Sequence, residues 1–215
     1  MSIYFSESMM INWRSIKYQG SVLIFSLVFA SCFQSDYTKL VKSELARGIR
    51  NDSILLGIKF GDSRDDFFGR CFDLNRAHLV TQGPSGLSVQ YLFSDSLFHY
   101  KPTQIRLLFS PSFDVNNKIS DMNMEFNYLG WAPWNKHLQS DSLEVKVKDI
   151  LMKWYAGNKF ITAKTGDKTW PVKLDANRRI LVSKKDAQTV VVKVQDILHP
   201  KFRHSITEKE KDKTK

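Results

Sequence analysis

Residues 119–128 read ISDMNMEFNY, with Met122, Met124, Phe126 and Tyr128 at every second position and Asp121, Asn123, Glu125 and Asn127 between them. A period of two is that of a strand with one buried face, because successive side chains leave the pleated backbone on opposite sides. Upstream, 87–93 (LSVQYLF) and 104–109 (QIRLLF) alternate in the same way, and Gly83-Pro84-Ser85-Gly86 and Asn116-Asn117 supply turns. Three such segments in a row read as an antiparallel meander. Downstream, 160–164, 170–174, 179–183 and 189–194 alternate again, separated by Gly166-Asp167, Asp175-Ala176-Asn177 and Lys185-Asp186. Loops this short join antiparallel neighbours.

Three segments carry the helical period instead. Tyr37, Leu40, Val41, Leu45 and Ile49 form one amphipathic stripe, with Asp36 as N-cap and Gly48 near the end. After a short strand over 54–60 that stops at Gly61, Asp62-Ser63 caps a second helix whose buried stripe is Phe67, Phe68, Cys71, Phe72 and Leu74. The third helix has Asp141 as N-cap and Glu144 three residues on, a capping-box spacing, and buries Leu143, Val147, Ile150, Leu151 and Trp154 before Gly157. The order helix, strand, helix, three strands, helix, four strands predicts an α+β domain over 36–198, helices packed on one face of antiparallel sheet. It is compatible with two helix-plus-meander halves, 36–130 and 131–198, although these share no sequence repeat.

The N-terminal 31 residues are of another kind. Residues 20–31 (GSVLIFSLVFAS) hold no charge, follow Arg14 and Lys17, and precede Cys32 and the polar run Gln34, Ser35, Asp36. A positive start, an apolar stretch too short to cross a bilayer and small residues at the end make a cleavable signal peptide over 1–31. The acidic prefix with Glu7 places the true start at Met9 or Met10. Phe29-Ala30-Ser31-Cys32 resembles the lipobox of bacterial lipoproteins, with Phe29 where leucine is commonest and Ser31 in the manner of Bacteroidota envelope lipoproteins. The resemblance implies cleavage before Cys32, a diacylglycerol thioether on its sulfur, an acylated amine, and residues 32–35 as a short tether. It further implies an exported, membrane-anchored protein at the outer membrane of a Gram-negative bacterium.

The composition, 42% hydrophobic and 25% charged over 215 residues, is globular and excludes a disordered or collagen-like chain. Two cysteines are too few for a disulfide scaffold. The formal charge is +10, and removing 1–31 takes away Arg14, Lys17 and Glu7 and leaves +9. Six basic residues and three acids fall in 201–215, so 199–215 reads as a basic disordered tail. For an exported protein such charge either meets anionic lipid or envelope polymer or is a solvated surface that keeps the protein soluble, and nucleic acid is not an expected partner.

Motifs for chemistry are sparse. No G-x-S-x-G, P-loop or G-x-G-x-x-G occurs, and His78, His99, His137, His199 and His204 show no metal-ligand spacing. Cys71 lies on the apolar stripe of the second helix and reads as structural. Adjacent Asp65 and Asp66 point about 100° apart on a helix and serve its dipole rather than form a paired site. Tyr128, Trp131 and Trp134, with Pro133 between the tryptophans, are the candidate binding residues, as rigid aromatics that stack on sugars or anchor a partner, and packing under the third helix is the other reading. Residues 58–63 with Phe67 resemble the strand, glycine, cap and aromatic anchor that open small outer-membrane-assembly lipoproteins and β-lactamase-inhibitor-like tandem domains. Asp52-Ser53-Ile54, Asp95-Ser96-Leu97 and Asp141-Ser142-Leu143 resemble the Bacteroidota O-glycosylation sequon. The expectation is a lipid-anchored envelope protein, a non-catalytic binding or assembly module with an envelope protein or polymer as partner. No catalytic residue, cofactor or metal is assigned; an anchored enzyme acting on envelope polymers is the alternative.

Overall fold

The computed structural model describes residues 36–84, 86–94, 104–165 and 168–202. The expected signal peptide, Cys32, residues 203–215 and the sequon at 95–97 lie outside them. Helix α1 (Asp36–Ala46) leads to a two-stranded hairpin, β1 (Ser53–Leu55) and β2 (Ile58–Lys59), and then to α2 (Arg64–Arg76). Four strands follow: β3 (Val80–Gln82), β4 (Val89–Ser94), β5 (Gln104–Phe113) and β6 (Ile119–Tyr128). A 3-10 turn (Lys136–Leu138) enters α3 (Ser140–Trp154), and β7 (Ile161–Thr165), β8 (Lys168–Asp175), β9 (Arg178–Lys184) and β10 (Thr189–Asp196) complete the chain. The fold is α+β, as the periodicities require.

One eight-stranded antiparallel sheet runs β3-β4-β5-β6-β10-β9-β8-β7. Each helix of the pair α2 and α3 is thus followed by a four-stranded meander, and the last strands of the two meanders, β6 and β10, pair at the centre. The register keeps the alternation in phase across the seam: Leu107 lies opposite Phe126, Phe126 opposite Val190, and Met124 opposite Val192. Val192 in turn lies opposite Val182. That face is covered by Phe67 and Leu74 of α2 and by Leu143, Val147 and Leu151 of α3 in one continuous core. The last three fall at i, i+4 and i+8, which places them on one side of the helix. All three are completely buried, each stabilising the fold by about 1.5–3 kcal/mol relative to exposure.

Helix α1 corrects the expectation of helices on one face. Its Val41 packs with Leu174 of β8 and Ile197, in a second cluster separate from the first. Leu174 pairs with Arg179, and Arg179 with Gln195, whereas Ile180 and Val194 belong to the main core. Alternation therefore puts α1 on the opposite face. Its stripe specifies that one side is buried, and nothing in it specifies against which side of the sheet.

Four further expectations are revised. The apolar run 54–60 is a hairpin, not one strand, because Leu56 and Gly57 turn with φ of 51° and 86°. Residues 80–82, not read as a strand, form the edge of the sheet. Asp141 is not an N-cap: α3 begins at Ser140, whose N–H donates to Ala187 O at 2.8 Å, and Asp141 pairs with Lys184 from the first turn. The disordered tail cannot begin at 199, since Phe202 is 8% exposed and Lys201 Nζ lies 2.7 Å from Asp121 Oδ2.

Candidate functional site

Helix α2 starts at Ser63, whose hydroxyl accepts from Asp66 N–H at 3.1 Å while the Asp66 carboxylate accepts from Ser63 N–H at 2.8 Å. This reciprocal cap, with a hydrogen bond from the Ser63 side chain as the largest cause, holds the Asp66 carboxyl below the usual range. Asp66 is thus a structural cap, and among the described residues Asp65 has no hydrogen-bond or ion-pair partner. From that fixed start, α2 turns Phe67 into the core, its ring centroid 5.5 Å from that of Phe68 and 6.1 Å from that of Phe113 on β5.

Only part of the stripe read from the sequence is buried. Phe67 and Leu74 are, Cys71 is partly covered, and Phe68 and Phe72 remain 56% and 63% exposed. Helical geometry accounts for the difference. At 100° per residue, Leu74, Phe67, Cys71, Phe68 and Phe72 spread over about 160° of arc, more than the roughly 100° that packs onto a core. The surplus falls on one side of α2 and forms the wall of a groove. Val80, Val89 and Phe109 line it, and Leu87 of the β3–β4 loop, 84% exposed, contributes from across the sheet edge. Gly83 holds that loop tight: its N–H donates to Ser88 O at 2.8 Å, and a Cβ on it would collide with Ser88. The groove has a volume of about 850 Å³. The excess width of the apolar arc was the signal in the sequence that could have found it.

Cys71 lines this groove. Burial pushes its thiol up to about 11, so it stays protonated and is a poor nucleophile at neutral pH. Arg64 also lines it, its guanidinium 4.4 Å above the Phe113 ring.

The candidate binding residues do not come together. Tyr128 is 2% exposed in the core, opposite Ile105 on β5, and is corrected from recognition to packing. Trp131 is partly buried, and its indole N–H is enclosed without an acceptor among the described residues. Trp134 is 85% exposed on a turn braced by Gln139, whose amide donates to Ala132 O and Pro133 O at 3.3 and 3.1 Å. A lone exposed tryptophan is left, not a three-ring surface.

A second polar centre lies around the β8–β9 turn. The fully buried Lys173 places its ammonium 2.7 Å from Asp175 Oδ2 and donates to Asn158 O. Asp175 Oδ1 accepts from Asn158 N–H at 2.7 Å. Arg178 donates to Ser53 O at 2.9 Å and lies 4.4 Å over the Tyr155 ring, whose hydroxyl donates to Ile54 O. Burial pushes the Arg178 guanidinium down and the Tyr155 phenol up. Sealed from solvent, these groups tie the N-terminal hairpin to the second meander. His199 contacts Asp114 at 3.1 Å and likewise holds the chain end in place. Among the described residues no group of three His, Cys, Asp or Glu could hold a metal ion, and no helix is long and apolar enough to cross a membrane.

In comparisons with family models, curated proteins and solved structures, nothing matches this chain. The groove beside α2 is the site its own geometry offers.

Proposed function

We propose that the protein is a non-catalytic binding module of the bacterial cell envelope, tethered by lipid on Cys32 and using the groove beside α2 to take an apolar partner. The observation that carries the reading is Phe68 and Phe72 exposed along a groove with an apolar floor. Rings left in water on a well-packed domain mark a contact surface, because burying them in the core would have been the more stable use. The lipobox-like sequence ending at Cys32 is what supports the lipid tether and an exported, membrane-anchored location. Helix α1, which starts four residues after that cysteine, packs against β7 and β8, while the groove opens at the other edge of the sheet, beside β3.

Two measurements test this in cells. Cys32→Ala should release the protein from membranes and abolish labelling by a fatty-acid analogue; unchanged fractionation and labelling would remove the anchor from the proposal. A photo-crosslinking residue in place of Leu87 should trap an adduct that the same residue in place of Val145, exposed on α3, does not. Equal trapping at both positions would show that the groove is not a preferred contact.

A further inference from the structure

We propose that the groove takes a single-chain anionic amphiphile, the chain along Phe68 and Phe72 and the carboxylate or phosphate at Arg64. The inference rests on the reading of the groove as a binding site and adds what binds.

The groove offers almost no backbone to read. Its edge strand β3 is three residues long, and the Val80 carbonyl already accepts from Asn75 Nδ2 at 2.8 Å. The Gly83 N–H and Ser88 carbonyl bond to each other across the neighbouring turn. An extended peptide needs free donors and acceptors along a strand edge, and leaving its amides unpaired against phenylalanine rings is costly. An alkyl chain has no such groups to satisfy. The volume of about 850 Å³ falls in the ordinary range for small-ligand clefts.

Charge fixes the orientation. Among the described residues Arg64 is the one cation that lines the groove and it has no carboxylate partner; its guanidinium lies on the Phe113 ring. Neighbouring Asp66 is occupied by the cap with Ser63. A cation fixed on an aromatic face at the end of an apolar channel complements a ligand that is negative at one end and apolar along its length.

The test uses the full chain in washed membranes, labelled with a diazirine-bearing long-chain carboxylate and, separately, with the chain-matched alcohol. The carboxylate should label peptides covering 65–76 and 107–118 about tenfold more than the alcohol. Arg64→Gln should bring that ratio to about one with folding unchanged, Arg64→Lys should keep most of it, and Arg76→Gln should leave it alone. Phe68→Ser with Phe72→Ser should lower labelling by both probes. Equal labelling by the two probes, insensitive to Arg64→Gln, would overturn the anionic ligand while leaving an apolar groove. Loss of the preference in Arg76→Gln instead would overturn the role given to Arg64. Groove peptides labelled by neither probe, with a polypeptide trapped from position 87, would overturn the amphiphile in favour of a protein partner. A lipid probe bound only outside the groove would overturn both the inference and the reading beneath it.

Discussion

Ending the chain after Pro200 removes Lys201 and Phe202, and the structure sets the size of the effect. Phe202 is 8% exposed, with the Arg179 guanidinium 5.7 Å from its ring, so its loss costs about 1.5–3 kcal/mol of apolar burial. Lys201 Nζ lies 2.7 Å from Asp121 Oδ2, but its side chain is half exposed, which limits that pair to about 1 kcal/mol or less. Asp121 keeps the hydroxyls of Ser112 and Ser120 at 2.9 and 2.8 Å, so it is not left bare. The sum, about 2–4 kcal/mol, lowers the thermal midpoint of a domain this size by about 4–16 °C. Ending the chain after Phe202 instead should leave the midpoint within about 2 °C, and Phe202→Ala should reproduce most of the larger loss. Circular dichroism melts of the three variants decide the matter. A midpoint unmoved by ending at Pro200 would refute the docking of the chain end on β6 and β9.

Gly157→Ala should cost about 2–4 kcal/mol in chemical denaturation, because φ is 115° and a Cβ would collide with Asp175 Oδ1; Gly48→Ala, at φ 64° with nothing within 4 Å, should cost only about 1–2 kcal/mol. Equal losses would show that the Asp175 contact plays no part. With its thiol near 11 rather than the ordinary 9.0, Cys71 holds about 100-fold less thiolate at neutral pH and should react with maleimide far more slowly in the native chain than in denaturant. Equal rates would mean that it is not covered. Hydrogen bonds hold Asp66, Asp114 and Asp186 below their ordinary 3.8, through the Ser63 side chain, the Lys118 N–H and the Gln188 N–H respectively. Their stabilisation is present above that value and is lost as pH falls through the folded values, so stability should hold between about pH 6 and 8 and decline below about pH 4. Cys71, and Tyr155 in the same direction, ionise first in the unfolded chain, so stability should also fall from about pH 9 upward. A stability profile flat at both extremes would contradict these assignments.

Strands β5 to β10 were legible because a period of two survives in their residues, as in Ile105, Leu107 and Phe109 of β5, all completely buried. The β1–β2 turn was not, since Leu56 adopts positive φ without glycine or asparagine in its place and only the following Gly57 marks the bend. The aromatic residues of α2 were legible as apolar and misassigned as core: a stripe records which residues avoid water, and the width of the arc decides how many one sheet can cover. Tyr128 was drawn into the candidate site by its nearness in sequence to two tryptophans, although its alternation with Met124 and Phe126 already placed it inside. Arg64 carried no signal in the sequence, because only the fold brings it over Phe113. The side of the sheet taken by α1 depends on contacts more than a hundred residues away.

Those contacts have a consequence for the order in which the chain can finish folding. Glu44 of α1 accepts from the Ala176 N–H, 132 residues later, and Arg50 reaches Asp196, 146 residues later. At about 5–20 residues per second, ribosomal synthesis delivers Ala176 roughly 7–26 s after Glu44. Throughout that interval the apolar side of α1, with Val41 at its centre, lacks its partner Leu174 on β8, although the first meander is complete once Tyr128 has been made. The earliest helix described is therefore among the last elements to lock. A nascent chain in this state carries an unclosed end until the second meander is made.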